Sequence, residues 1–145
     1  MSWALALPIL AMAADPSQAA QPSAAAADLA VYDGRYPADP VAGVAFLRHP
    51  RVRAAVEAAV PSASIRAWIL DRPAQQTPIA LRNGRLVSWG CEQGNCNTRD
   101  WTIFIDTAGA AAEICYHFAE TMGARSRWYR AGQESALRPD DGCPS

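Results

Sequence analysis

Two cysteines, Cys91 and Cys96, bracket Glu92-Gln93-Gly94-Asn95 between two segments that alternate like β-strands. If they pair, the chain carries a small rigid ring at a strand end. A crosslinked loop loses little conformational entropy on binding, so its polar contacts convert more fully into affinity. Gln93 and Asn95 offer donors and acceptors, Glu92 a charge, and Gly94 a residue that admits a positive φ at the tip. Such a ring suits insertion into another protein's cleft. The same spacing also fits a plain disulfide closing a tight connection, and spacing alone does not separate the two.

The 145-residue chain has four cysteines, Cys91, Cys96, Cys115 and Cys143. Three pairings are open. The expected one is Cys91–Cys96 with Cys115–Cys143, because the first pair is adjacent and leaves the second to staple the C-terminal tail. Chain entropy gives roughly 2 kcal/mol for the short ring and roughly 3.5 kcal/mol for the longer loop. The longer bridge is then the main staple, and the shorter one fixes loop shape.

An even cysteine set fits an oxidising compartment. Trp3 to Ala14 is apolar and ends in small residues, like a secretory core with a cleavage site at Ala11-Met12-Ala13, although no Lys or Arg precedes it. It is too short to span a bilayer as a helix. No cysteine follows it to accept a lipid, so no membrane anchor is expected. Residues 1–14 read as a signal peptide-like segment. Residues 15–28, rich in Ala, Pro, Ser and Gln, read as a disordered linker. Residues 29–145 read as a single domain, periplasmic or secreted.

The net charge of −1 argues against a nucleic-acid binder or a polybasic membrane binder. All 13 basic residues are Arg. Arginine clusters suit carboxylate recognition, but a compositional bias of the coding sequence is the simpler reading.

Apolar spacing predicts a helix from Pro40 with Asp39 as its N-cap, a break at His49-Pro50, and a second helix from Pro50 to Val60. After Ser64 the period shortens to two. Strands are expected at Ile65–Leu70, Thr77–Leu81, Leu86–Trp89, Trp101–Ile105, Ala112–Phe118 and Arg127–Arg130, with Asn83-Gly84 as a hairpin turn. Gly132 onward reads as irregular. The class is α+β, with N-terminal helices packed on one face of an antiparallel sheet of about five or six strands.

Other constellations carry less. Cys115 and His117 share a strand face and could form a nucleophilic pair or two metal ligands, but a disulfide beside an ordinary His is the simpler reading. Asp106 and Glu113 flank one turn and could pose as paired carboxylates, although turn acids are usually solvated. His49 at a helix break takes a structural or solvated role. Trp68, Trp89, Trp101 and Trp128 fall on separate strands and suit the core. Trp89 and Trp101 could also brace the ring. Arg125, Arg127 and Arg130 read as a solvated strand edge. Neither a catalytic set, a metal site nor a cofactor site emerges.

The run Ala67-Trp68-Ile69, then Thr77-Pro78, the hairpin Ile79 to Trp89, the ring and the strand Trp101 to Ile105 together resemble the inhibitor of vertebrate lysozyme (Ivy) family. The resemblance covers the central third of the chain, with the rest matched by order of elements. It implies an α+β fold, a periplasmic location, and a loop that enters a lysozyme cleft. The family loop reads Cys-Lys-Pro-His-Asp-Cys, and its His meets the catalytic carboxylates. Here Glu92, Gln93, Gly94 and Asn95 stand at the Lys, Pro, His and Asp positions. The resemblance therefore implies an exported, non-enzymatic protein that uses residues 91–96 to contact a protein partner. A lysozyme or other muramidase is the expected partner class. A periplasmic structural or interaction module of the same fold, without lysozyme inhibition, is the alternative. The residues neither require nor exclude a homodimer.

Overall fold

The computed structural model describes Met1 and residues 28–145. Apart from Met1 and Asp28, the expected signal segment and linker lie outside the described residues. The described chain is α+β, with three α-helices and a seven-stranded antiparallel sheet.

The helices are α1 (Pro50–Ala59), α2 (Ala63–Leu70) and α3 (Ala119–Met122). The strands are β1 (Ala74–Gln76), β2 (Ala80–Arg82), β3 (Arg85–Glu92), β4 (Arg99–Asp106), β5 (Ala112–Phe118), β6 (Ser126–Arg130) and β7 (Ala136–Arg138). Spatial order is β1-β3-β4-β5-β6-β7, with β2 also paired to β3. Asn83 and Gly84 take φ values of 50° and 75° in the β2–β3 turn, the left-handed pair that matches strand twist.

Register sorts the side chains onto two faces. Leu86 sits opposite Ile105, Gly90 opposite Trp101, Ile103 opposite Ile114, and Ile114 opposite Tyr129. These residues share the face that packs against Val52 and Val56 of α1 and Ile69 and Leu70 of α2. Leu29, Tyr32 and Phe46 complete this core from two 3-10 turns, Leu29–Tyr32 and Phe46–Arg48. Arg99 is clamped between layers, its Cζ 3.7 Å from the ring centroids of both Trp68 and Phe118.

The opposite face carries Trp89, Asp100, Thr102, Phe104, Cys115, His117 and Trp128, and the C-terminal segment crosses it. Cys115–Cys143 fastens that segment, and Thr102 Oγ1 donates to the Pro144 carbonyl at 2.5 Å. Cys143, Cys115, Trp128 and Phe104 form a small second core under this strap. Phe104 and Trp128 stack at 5.8 Å.

Four expectations change. No helix begins at Pro40. Val41 and Val44 instead form an isolated bridge around Ala42 and Gly43, with φ of 48° and 80°. Left-handed backbone cannot continue a right-handed helix. Asp39 is not an N-cap, and His49 caps α1, its Nδ1 accepting from the Arg51 N–H at 3.2 Å.

Ile65–Leu70 is helical, because Ser62 Oγ caps the Ile65 N–H at 3.4 Å and Ile65, Trp68 and Ile69 share one helical face. Trp68 therefore lies on a helix. Of the expected strand Thr77–Leu81 only Ala80 and Leu81 are in a strand, and Pro78, which has no N–H to give to a ladder, sits in the preceding loop. Finally, β7 (Ala136–Arg138) forms in the stretch expected to be irregular and pairs with Ser126–Trp128, so Arg127 does not lie on a sheet edge, while Arg130 beyond this pairing is exposed.

Candidate functional site

The ring joins β3 to β4 and is anchored in the sheet at its root. Cys91 is fully buried and pairs in register with Asp100, while Gln93, Gly94 and Asn95 are exposed. Cys91 and Cys96 form the expected disulfide, with Cα atoms 4.8 Å apart. Inside the ring the Asn95 N–H donates to the Glu92 carbonyl at 2.9 Å, and Gly94 takes φ 76°. Asn95 Oδ1 accepts from Thr98 Oγ1 at 2.8 Å, which holds the side chain against the ring's exit and leaves its amide N–H groups to point elsewhere. Glu92 is half-buried, so its charge sits at the base of the ring and Gln93 and Gly94 form its crest. Trp101 lies against Gly90, in β3 just before the ring, on the helix-covered face.

The Cys115–His117 pairing has a different meaning from a nucleophile and base. Cys115 is bonded to Cys143, and every cysteine is in a disulfide. His117 is 1% exposed. Its Nδ1 lies 2.9 Å from the Arg125 carbonyl, and a carbonyl can only accept, so Nδ1 carries the hydrogen. In the neutral ring Nε2 is then an acceptor, and it has no hydrogen-bond partner. Among the described residues no cluster of His, Cys, Asp or Glu has metal-holding geometry.

Sequence reasoning missed Asp100. It faces His117 across the β4–β5 ladder and is 4% exposed. Its Oδ2 accepts from the Cys143 N–H at 2.6 Å and from Trp89 Nε1 at 3.4 Å. Burial pushes its carboxyl above the ordinary range, against the Cys143 N–H, the nearby His117 and the Trp89 N–H, which all favour the charge. Alternation with Trp101 and Ile103 placed Asp100 on the far face of β4. Nothing short of the strap's path shows that this face is covered there.

The sign of the resulting pH dependence is fixed. A raised folded pKa means the fold keeps this proton to higher pH than the unfolded chain. The contribution is present below the ordinary value of 3.8 and is lost as pH rises through the raised one. Asp100→Asn removes it. Denaturant melts at about pH 3 and about pH 7 should show the parent losing stability relative to the variant at the higher pH. A difference that is flat, or that runs the other way, refutes the burial account.

Asp106 and Glu113 do not act as a pair. Asp106 Oδ1 accepts the Ala111 N–H at 2.6 Å across the β4–β5 turn, and Glu113 forms an ion pair with Arg130. Arg127 donates to Ser135 Oγ, and Arg125 Nε donates to the Met122 carbonyl.

Beside the ring, on the strap-covered face, lies an open notch of about 280 Å³. Trp89, Asn97, Asp100, His117 and Asp141 line it, together with the strap backbone. Cys96 lines it too, so ring and notch are continuous. No family model matches this chain, and neither a curated protein nor a solved structure matches it. The ring and the notch beside it are two neighbouring features whose chemistry the fold leaves open to a partner.

Proposed function

We propose that this is an exported protein-binding module that engages its partner through the Cys91–Cys96 ring, with a peptidoglycan-cleaving glycoside hydrolase as the partner class. The observation that carries it is the ring's mounting. Its root, Cys91, is buried between sheet partners, and its crest, Gln93 to Asn95, is exposed and closed by a disulfide. A preorganised, exposed crest on a rigid sheet is the form in which short polar loops bind well. The resemblance of the surrounding segments to the Ivy family supplies the partner class. Two disulfides are compatible with an oxidising compartment.

Titration of the purified protein against a panel of muramidases is the test. At least one should be bound and inhibited at micromolar concentration, with an affinity loss of about tenfold or more in Gln93→Ala. Absence of inhibition across the panel at about 10 µM, a −7 kcal/mol level of binding, ends the inhibitor reading.

One observation favours a second reading, a structural or interaction module without lysozyme inhibition. Gly94 stands where the family has its carboxylate-binding His, and its φ of 76° strains most side chains. Nothing lies within 4 Å of a Cβ built there, so the space for a side chain exists. Under this reading the parent is inert toward lysozyme and Gly94→His acquires inhibition. An inhibitory parent removes it.

A further inference from the structure

The notch beside the ring brings two carboxylates and a buried imidazole together. Both hydrogen bonds made by Asp100 go to Oδ2, which leaves the Oδ1 lone pairs on the notch side. Gly142 of the strap passes close by, its backbone placed so that a Cβ would come 3.6 Å from that Oδ1. His117 Nε2, buried and unpartnered, lies 3.9 Å from Asp141 Oδ1. The Asp141 side chain is 80% exposed and has room to turn. No arginine side chain lines the notch, although the chain's 13 basic residues are all arginine. Two carboxylates and a buried imidazole nitrogen without a hydrogen-bond partner, with no arginine of the protein's own among the lining residues, make a site complementary to a donor-rich group.

We propose that this notch takes a cationic side chain presented by a partner protein, an arginine guanidinium, with Asp100 and Asp141 as its carboxylate acceptors and His117 Nε2 as a third acceptor. The guanidinium suits the site because it carries five N–H donors in a plane and no acceptor. Half-buried Trp89 on the same wall adds an aromatic surface for stacking. Glu92 at the base of the adjoining ring adds a third negative charge to this end of the molecule. The partner's contact patch is therefore basic around the point where the ring lands. The site stands whether or not the partner is a muramidase, because its chemistry can be probed without one.

The experiment is an NMR titration of the full protein, following the His117 ring nitrogens and the Trp89 indole N–H. The probes are N-acetyl-arginine methylamide, its neutral citrulline counterpart, and agmatine. Capped arginine should bind saturably with a dissociation constant of roughly 1 mM, shifting His117 Nε2 and Trp89 together. Citrulline should bind at least about tenfold more weakly, and Asp141→Asn, an exposed position that leaves the fold intact, should weaken capped arginine by a similar factor. Failure of capped arginine to move either signal at about 20 mM overturns the site. Equal shifts from citrulline, or unchanged affinity in Asp141→Asn, overturn the charge reading. Agmatine binding with capped arginine excluded assigns the notch to a free polyamine and overturns the protein side chain.

Discussion

Replacing Cys115 and Cys143 together by alanine should lower stability by about 3.5 kcal/mol, the chain-entropy value for a loop of this span. The bridge joins positions 28 residues apart and lies on the face of the sheet opposite α1 and α2. Releasing it frees the strap, and with it the Cys143 N–H that holds Asp100 and the small core of Phe104, Trp128 and the two cysteines. The matched double alanine at Cys91 and Cys96 should cost only about 2 kcal/mol, because the ring it opens is short. Denaturant unfolding of both variants without reductant makes the comparison directly. A larger loss from the ring variant would reverse the assignment of roles. The strap variant has a second signature: solvent should reach Asp100, and its carboxyl should return toward the ordinary value of 3.8.

Trp101→Ala should be more costly still, about 3–5 kcal/mol, as for other fully buried aromatic truncations. Trp101 is 1% exposed at the centre of the helix-covered face, and its indole covers Gly90 on the neighbouring strand. A Cβ built on Gly90 would meet Trp101 Cε2 and Cζ2 at 3.1 Å and Nε1 at 3.2 Å. Gly90 is thus small because Trp101 is large. Gly90→Ala in the parent should be destabilising, whereas in the Trp101→Ala background it should cost less, because the added methyl enters vacated space. A double-mutant cycle by chemical denaturation reads this coupling, expected at about 1 kcal/mol or more in magnitude. Strict additivity would show that the two positions do not share a packing constraint.

The stretch from Asn83 to Arg130 was readable from residues because its signals are local. Asn83-Gly84 specifies a turn by backbone sterics, and period-two alternation in Trp101–Ile105 and Ala112–Phe118 specifies which side faces the helices. The disulfide partners were readable too, from adjacency of the first pair. The first half misled because short apolar runs are degenerate. Ile65–Leu70 has the composition of a strand, and the Ser62 cap together with the shared helical face of Ile65, Trp68 and Ile69 turns the run into α2. The Pro40 region looks helical in its apolar spacing, yet Ala42 and Gly43 bend it into a turn that still buries Phe46.

The ring was visible in the sequence, and the notch was not. A notch requires knowing that the segment after β7 doubles back across β4 and β5, which no local pattern announces. Asp100 and His117 become neighbours only through the register of one ladder, and become buried only through a strap from the far end of the chain.

That far-end fastening also sets an order for oxidation. Cys96 lies five residues from Cys91, whereas Cys115 must find Cys143 28 residues away. The nearer pair meets with the smaller loss of loop entropy. A closed ring takes Cys91 and Cys96 out of the set that could capture Cys115 and leaves Cys143 as its partner. The short bridge, weak as a staple, thereby narrows the choices of the strong one.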